Sequence, residues 1–217
     1  PVQDAFERQR RFVADASHEL KTPITVIGAN ADVLAGEIGE NKWLGYIRSE
    51  AARMNRLVAD LLYLAKYDGG EERWVMCDFS LSSAVYGAVL PFESLVYESG
   101  RSISTDIADG LTLHGEERRI TQLVMILLDN AVKNSYEGSE IRVTLRQNGD
   151  KRLLTVENQG EGIPAADLPH IFERFYRADT SRGEKTGFGL GLSIADTIAR
   201  EHKGTLKAES DAASTRF

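Results

Sequence analysis

Phe6, Val13, Leu20 and Ile27 recur at intervals of seven, with Ala16, Ile24 and Ala31 on the adjoining stripe. A seven-residue apolar repeat draws one seam along a helix and requires a second helix to cover it. The chain supplies that helix after the break "AGEIGENK". From about Asn41 to Tyr67, Trp43, Ile47, Met54, Leu57, Leu61 and Leu64 follow three- and four-residue steps, interrupted by Glu50 beside Ala51. Two amphipathic helices joined by a short turn make an antiparallel hairpin. Its stripes are wide, so a second copy is expected to complete a four-helix bundle. "DGGEE" (Asp68–Glu72) then reads as a linker.

Beyond Arg73 the period changes, and the overall expectation is an α+β protein. "SLSSAVYGAVLPFESLVYESG" and "EERRITQLVMILLDNAVKNS" read as helices, "RSISTDI" and "LTLHG" as short strands. "EIRVTLRQNGDKRLLTVENQG" reads as a hairpin with an Asn-Gly turn. "GLGLSIADTIAREHKG" is a helix ending at Gly204 and "TLKAES" a last strand.

The 217 residues allow one large domain or two small ones. A net charge of −7 argues against a nucleic-acid partner, whose phosphates need a basic face. The single cysteine, Cys77, cannot close an intramolecular disulfide and is expected to be a buried small residue in a reducing compartment. No apolar run reaches the length of a membrane span and no signal peptide is visible. Pro1, with a helix already under way, leads to the expectation that an upstream part is missing.

Four segments of the second block converge on nucleotide chemistry. In "LLDNAVKNS", Asn130, Lys133 and Asn134 share a helix face. A carboxamide oxygen suits Mg²⁺ and a lysine suits a phosphate, although a solvated polar face would look the same. In "VENQGEGIP" a strand ends in Gly160 and Gly162, which let the backbone approach a flat ligand. "IFERFYRAD" offers Tyr176 and Arg177 as ligand candidates, with Phe172 and Phe175 assigned to the core. In "GFGLGLSIA", Gly187, Gly189 and Gly191 alternate into a helix start, where bare amides favour an anion. The order matches neither a Rossmann fingerprint nor a Walker loop. The polar stretch Ala178–Thr186 between the last two segments reads as a lid.

Together "SHELKTP", "LLDNAVKNS", "VENQGEGIP", "IFERFYR" and "GFGLGL" resemble the five boxes of a bacterial sensor histidine kinase core. The resemblance implies a dimerisation and phosphotransfer hairpin over 1–68. It implies an α/β sandwich over 69–217 that binds ATP as gyrase and chaperone ATPases do. His18 matches the phosphoacceptor, Glu19 the neighbouring acid, and Thr22 the position that holds water for dephosphorylating the partner. Asn130 matches the Mg²⁺ ligand, and Lys133, Tyr176 and Arg177 match positions near the phosphates. Asn134 belongs to the same box, and Leu190 lies within the second glycine box, between Gly189 and Gly191. Implied partners are a second copy of the chain and the receiver domain of a response regulator, with the full-length protein on the cytoplasmic side of a membrane.

Several positions depart from the pattern. Asn158 stands where the family has an aspartate that accepts a hydrogen bond from the adenine amino group, and an asparagine there lacks charge assistance for that bond. Ile126 replaces a second asparagine, Asn134 an aromatic residue, and "STRF" a Gly-Thr pair before Phe, leaving Thr215 as the equivalent threonine. Asn158, Ile126 and Asn134 keep a second reading open, a dimeric docking module with little turnover; a third, an ATPase of the gyrase and mismatch-repair type, is disfavoured because those proteins lack the phosphoacceptor hairpin.

His18 and Thr22 share a helix face, with Glu19 about 100° round. Pro23 has no amide for the carbonyl of Glu19, so the helix is expected to bend beside the imidazole. His114, His170 and His202 are read as surface or helix-end residues.

Overall fold

The computed structural model describes residues 2–39, 41–68, 74–177 and 188–217, with the backbone alone described for 2–15, 18 and 66–68. The chain folds as two compact units, Pro1–Arg73 and Trp74–Phe217.

The first unit is a hairpin of α1 (Val2–Ile38) and α2 (Lys42–Asp68). Gly39, at φ +80°, takes the left-handed conformation that ends α1. The Asn41 side-chain oxygen then caps α2, accepting from the amides of Trp43 (3.0 Å) and Leu44 (3.1 Å). The seam between the helices is built from Ser17, Ile24 and Ala31 on α1 and Leu44, Ala51, Val58, Leu64 and Ala65 on α2, all buried. Several of the apolar residues expected to form it point elsewhere. Leu20, Ile27, Trp43, Ile47 and Met54 are exposed. Each helix carries two adjoining apolar stripes, and the one that includes Ile24 and Ala31 on α1 and Leu44, Ala51 and Val58 on α2 faces inward. Phe6 and Val13 lie outside the described side chains.

In the second unit the elements run β1 (Cys77–Ser80), α3 (Leu81–Glu98), β2 (Ser102–Ile107), β3 (Thr112–Gly115), α4 (Glu117–Asn134), β4 (Glu140–Asn148), β5 (Lys151–Gln159), α5 (Gly191–Glu201), β6 (Glu209–Ser210) and β7 (Ser214–Arg216). Strands pair in the order β2-β4-β5-β7-β6, parallel between β2 and β4 and antiparallel elsewhere, while β1 and β3 form a separate antiparallel pair. Along β4 the buried Ile141, Val143 and Leu145 alternate with Arg142, Thr144 and Arg146. Such alternation gives a sheet one apolar face, and each such side chain adds roughly 1.5–3 kcal/mol when fully buried. Val85 and Ala88 of α3, Val124, Leu127, Leu128 and Ala131 of α4, and Ile194, Ala195 and Ile198 of α5 complete the core. Three helices packed on one sheet make the expected two-layer sandwich.

Four local expectations need correction. Asn148 pairs with Lys151 across the β4–β5 hairpin, so the two loop residues are Gly149 and Asp150. Only Gly149 has positive φ (59°), the pattern of a type II′ turn. "TLKAES" contributes only Glu209 and Ser210 as a strand, and it is the following residues, Ser214–Arg216, that pair with β5. Lys203 (φ 58°), rather than Gly204, takes the left-handed position after α5. Cys77, the first residue of a two-stranded ribbon, is exposed.

Candidate functional site

The C-terminal end of α4, the end of β5 and the β6–β7 hairpin meet around Gly160 and Gly162. A β-carbon on Gly160 would overlap the carbonyl oxygen of Asn134. One on Gly162, which also has φ +73°, would overlap the carbonyl oxygen of Asp211. Both glycines are therefore required by close backbone packing, and that packing brings the α4 end beside the strand. Asp211 holds the other side of the cradle. Its carboxylate accepts from the amides of Ala213 and Ser214, which hold its pKa below the ordinary aspartate value.

Asn158 lies opposite Thr215 in the β5–β7 register. Its side chain is 1 % exposed, and its Oδ1 has no hydrogen-bond partner. A buried amide oxygen without a partner costs about 1–3 kcal/mol, so the protein holds an acceptor ready for a donor it does not itself supply. Beside it, Thr215 Oγ1 lies 2.8 Å from Ser210 Oγ, which accepts from the amide of Ile163 and lies 2.9 Å from the carbonyl oxygen of Ser214.

On α4 the Asn134 side chain donates to the carbonyl of Asn130 at 2.8 Å, and Lys133 pairs with Asp129 one turn back. Ile126, on the same helix, stands 3.3 Å from where a β-carbon of Gly191 would be. The missing asparagine is thus replaced by a side chain that packs against the start of α5.

The second glycine segment is locked to the aromatic one. Gly189 (φ +71°) leaves room only for backbone against Phe175 and Tyr176, and its carbonyl accepts from the amide of Phe175 at 2.9 Å. Tyr176 donates its hydroxyl to Asp167 at 2.6 Å, and that hydrogen bond raises its pKa above the ordinary phenol value. Arg177 is exposed. Phe175 is not core as expected: it is 59 % exposed with φ 64°, because the segment is a series of turns rather than a helix. The side chain of Leu190 is buried, so only its backbone can face a ligand. Gly187 and the stretch Ala178–Thr186 lie outside the described residues.

On the hairpin, α1 runs through Pro23 as one helix. Glu19, Thr22 and Pro23 are exposed, and the Thr25 hydroxyl bonds the carbonyl of Lys21 at 2.8 Å. The side chain of His18 lies outside the described ones.

Residues 8–70 match the His Kinase A phospho-acceptor domain, and residues 115–217 match the ATPase family of histidine kinases, DNA gyrase B and HSP90. The sensor protein DltS of Streptococcus agalactiae (serotype III, strain NEM316) is 40 % identical over 208 residues, covering 96 % of this chain and 53 % of its own length. The sensor histidine kinase YkoH of Bacillus subtilis is 40 % identical over 96 % of this chain and 46 % of its own. The chain belongs to the sensor histidine kinases. It spans about half the length of these relatives. Its fold agrees: the structure of full-length ShkA in complex with AMPPNP matches 95 % of the chain and 44 % of its own at TM-score 0.79 and 20 % identity. The histidine kinase AdeS of Acinetobacter baumannii matches 92 % of the chain and 94 % of its own at TM-score 0.67 and 23 % identity.

Three contributors to the candidate site escaped sequence reading. Ser210 anchors Thr215, Asp211 shapes the turn beside Gly162, and Asp167 holds Tyr176. Ser210 and Asp211 carried only a weak signal, a polar run ahead of "STRF". Asp167, nine residues from its tyrosine, carried none.

Proposed function

We propose that this kinase core binds Mg-ATP in its second unit, phosphorylates itself on His18 and passes the phosphoryl group to an aspartate of a response-regulator receiver domain. The buried, partnerless oxygen of Asn158 beside the glycine cradle carries the nucleotide part of this reading. It fits the amino group of adenine, an N–H donor able to enter a closed site. Gly160 and Gly162 let the end of α4 and the β6–β7 turn close against the strand end that carries Asn158, and Thr215 stands opposite Asn158 in the strand register. The first amides of α5, at the helix start that follows Gly189, suit phosphate oxygens. Lys133, Tyr176 and Arg177 supply charge and hydrogen bonds there, and Asn134 supports Asn130. Mg²⁺, held by Asn130 and the phosphates, would offset charge on the transferring group.

In the transfer, one neutral nitrogen of His18 forms a bond to the γ-phosphorus as the bond to ADP breaks and ADP leaves with its electron pair. The proton on the other nitrogen is held by Glu19, which fixes the tautomer. The phosphorus–nitrogen bond then breaks as the receiver aspartate attacks. Thr22, one turn from His18, would position water for hydrolysing the receiver's phosphate. We further propose that the exposed stripe of Leu20, Ile27, Trp43, Ile47 and Met54 is covered by a second copy, forming a four-helix bundle. The length of the relatives beyond the matched region leaves room for a membrane-attached sensor in the whole protein.

The test is incubation of the chain with Mg²⁺ and γ-labelled ATP beside a His18→Gln variant. Acid-labile, base-stable label on the parent alone is expected. No label on the parent, with the dimer intact, would replace this reading by a docking module for the receiver domain.

A further inference from the structure

We propose that the base subsite accepts both 6-amino and 6-keto purine nucleoside triphosphates, because the group that reads the base edge is the carboxamide of Asn158. The inference rests on the nucleotide-binding reading above and narrows its substrate class.

A carboxylate in this place would only accept hydrogen bonds. It would select the adenine amino group and repel a keto oxygen. A carboxamide presents one acceptor and one donor side by side. Adenine offers the reverse pair, an amino donor at C6 and an acceptor at N1, and asparagine meets a donor–acceptor pair on an adenine edge in this bidentate way elsewhere. A 6-keto purine offers an acceptor at O6 and a donor at N1–H. Turning the Asn158 amide through half a revolution converts a partner for the first edge into a partner for the second. That terminal torsion has two broad, nearly equivalent settings, so the turn costs little.

The surroundings permit both settings. Asn158 is 1 % exposed with Oδ1 unpartnered, so no protein hydrogen bond to that oxygen pins the amide. Gly160 keeps that side of the amide clear of a side chain, since a β-carbon there would come within 3.2 Å of Asn158 Nδ2. The hydroxyl opposite is equally adaptable. Ser210 and Thr215 lie 2.8 Å apart, and either can donate to the other. If Ser210 donates to the carbonyl of Ser214, 2.9 Å away, Thr215 donates to Ser210 and shows a ligand only lone pairs. If Ser210 donates to Thr215, the Thr215 proton is free for the ligand. Neither group carries charge, so neither setting leaves an ion buried.

ITP is the discriminating probe, since it differs from ATP only at the edge that Asn158 would read. Binding of ATP and ITP, each with Mg²⁺, is measured by competition against a fluorescent ATP analogue, for the parent and for Asn158→Asp. For the parent, the two dissociation constants are expected to agree within about tenfold. For the aspartate variant, the preference for ATP is expected to widen by a further ~10-fold or more, the discrimination of a lost bidentate pair. A parent that prefers ATP by more than about tenfold overturns the proposal while leaving ATP binding intact. An identical preference in parent and variant also overturns it, since Asn158 would not be the reader. Failure of the parent to bind either nucleotide brings down the nucleotide-binding reading itself. If Asn158→Asp does not fold, as judged by its thermal transition, the parent's ratio alone decides.

Discussion

The imidazole of His202 fills the space that any side chain on Gly115 would need, so that a β-carbon there would overlap its Cδ2. The ring is held at both nitrogens. Nε2 accepts from the amide of Glu116 at 3.0 Å, and Nδ1 donates to the carbonyl of Ile198 at 2.8 Å. Trp74 stacks on it at 5.3 Å between centroids, and Arg119 lies over the Trp74 ring at 5.8 Å. One side chain thereby ties the C-terminal end of α5 to the N-terminal end of α4.

Gly115→Ala should therefore destabilise the second unit by roughly 1–3 kcal/mol through overpacking. His202→Ala should destabilise it by about 1–2 kcal/mol through the lost hydrogen bonds. The double variant should be more stable than the sum of the two losses, because removing the ring makes room for the methyl. Denaturant unfolding of the four proteins checks this, and strict additivity would show that the two residues do not share the space.

Gly160→Ala and Gly162→Ala both force a β-carbon into a carbonyl, and at Gly162 the positive φ adds backbone strain. Gly162→Ala is expected to lower stability more than Gly160→Ala, and both to abolish the thermal stabilisation by ATP. A Gly160→Ala protein that retained the full ATP-induced shift in melting temperature would remove the cradle from the site.

How much of this could be read beforehand depends on the range of the interaction. The β4–β5 hairpin and α4 follow from local periodicity, and the two helices of the first unit do as well. Which stripe of those helices faces inward does not, because Ile24 and Ile27 are equally apolar, and the packing that selects Ile24 and Ala31 is a property of the pair. The Gly149–Asp150 turn shifted by one residue because the register of Asn148 with Lys151 is set along the entire hairpin. Phe175 looked like core because it is aromatic, whereas its backbone is committed to Gly189. Asn158 and Thr215 could be named from their boxes, but not the Ser210 that completes their pair, since nothing local marks it.

Asp60 on α2 has its pKa raised to about 6 by burial, with Arg56 pulling the other way. A carboxyl raised in the folded state binds its proton more tightly there than when unfolded. Its contribution is present in full below pH ~4, the unfolded value, and is lost as pH rises through about 6. The first unit should accordingly lose roughly 1–2 kcal/mol between pH 4 and 7 from this group, after allowance for its partial exposure. Asp60→Asn should remove that component and raise stability at pH 7. Thermal unfolding of the two proteins across this range is the measurement, and equal slopes would contradict it.

Pro23 removes one hydrogen bond from the interior of α1. Pro23→Ala should stabilise the hairpin by up to ~3 kcal/mol. If the discontinuity serves phosphotransfer, labelling of His18 should slow even though the helix has gained stability. Rapid-quench labelling beside helical content would separate the two effects, and a variant both more stable and equally fast would assign the proline no catalytic part.

The outward stripe of Leu20, Ile27, Trp43, Ile47 and Met54 leaves much of the hairpin's apolar surface outside its own seam. Under the proposed dimer, acquiring the native state and finding a mate are one bimolecular reaction. The midpoint of unfolding would then move with protein concentration, as mass action requires. A melting temperature for this unit would carry meaning only beside the molarity at which it was taken, and dilution alone would unfold it.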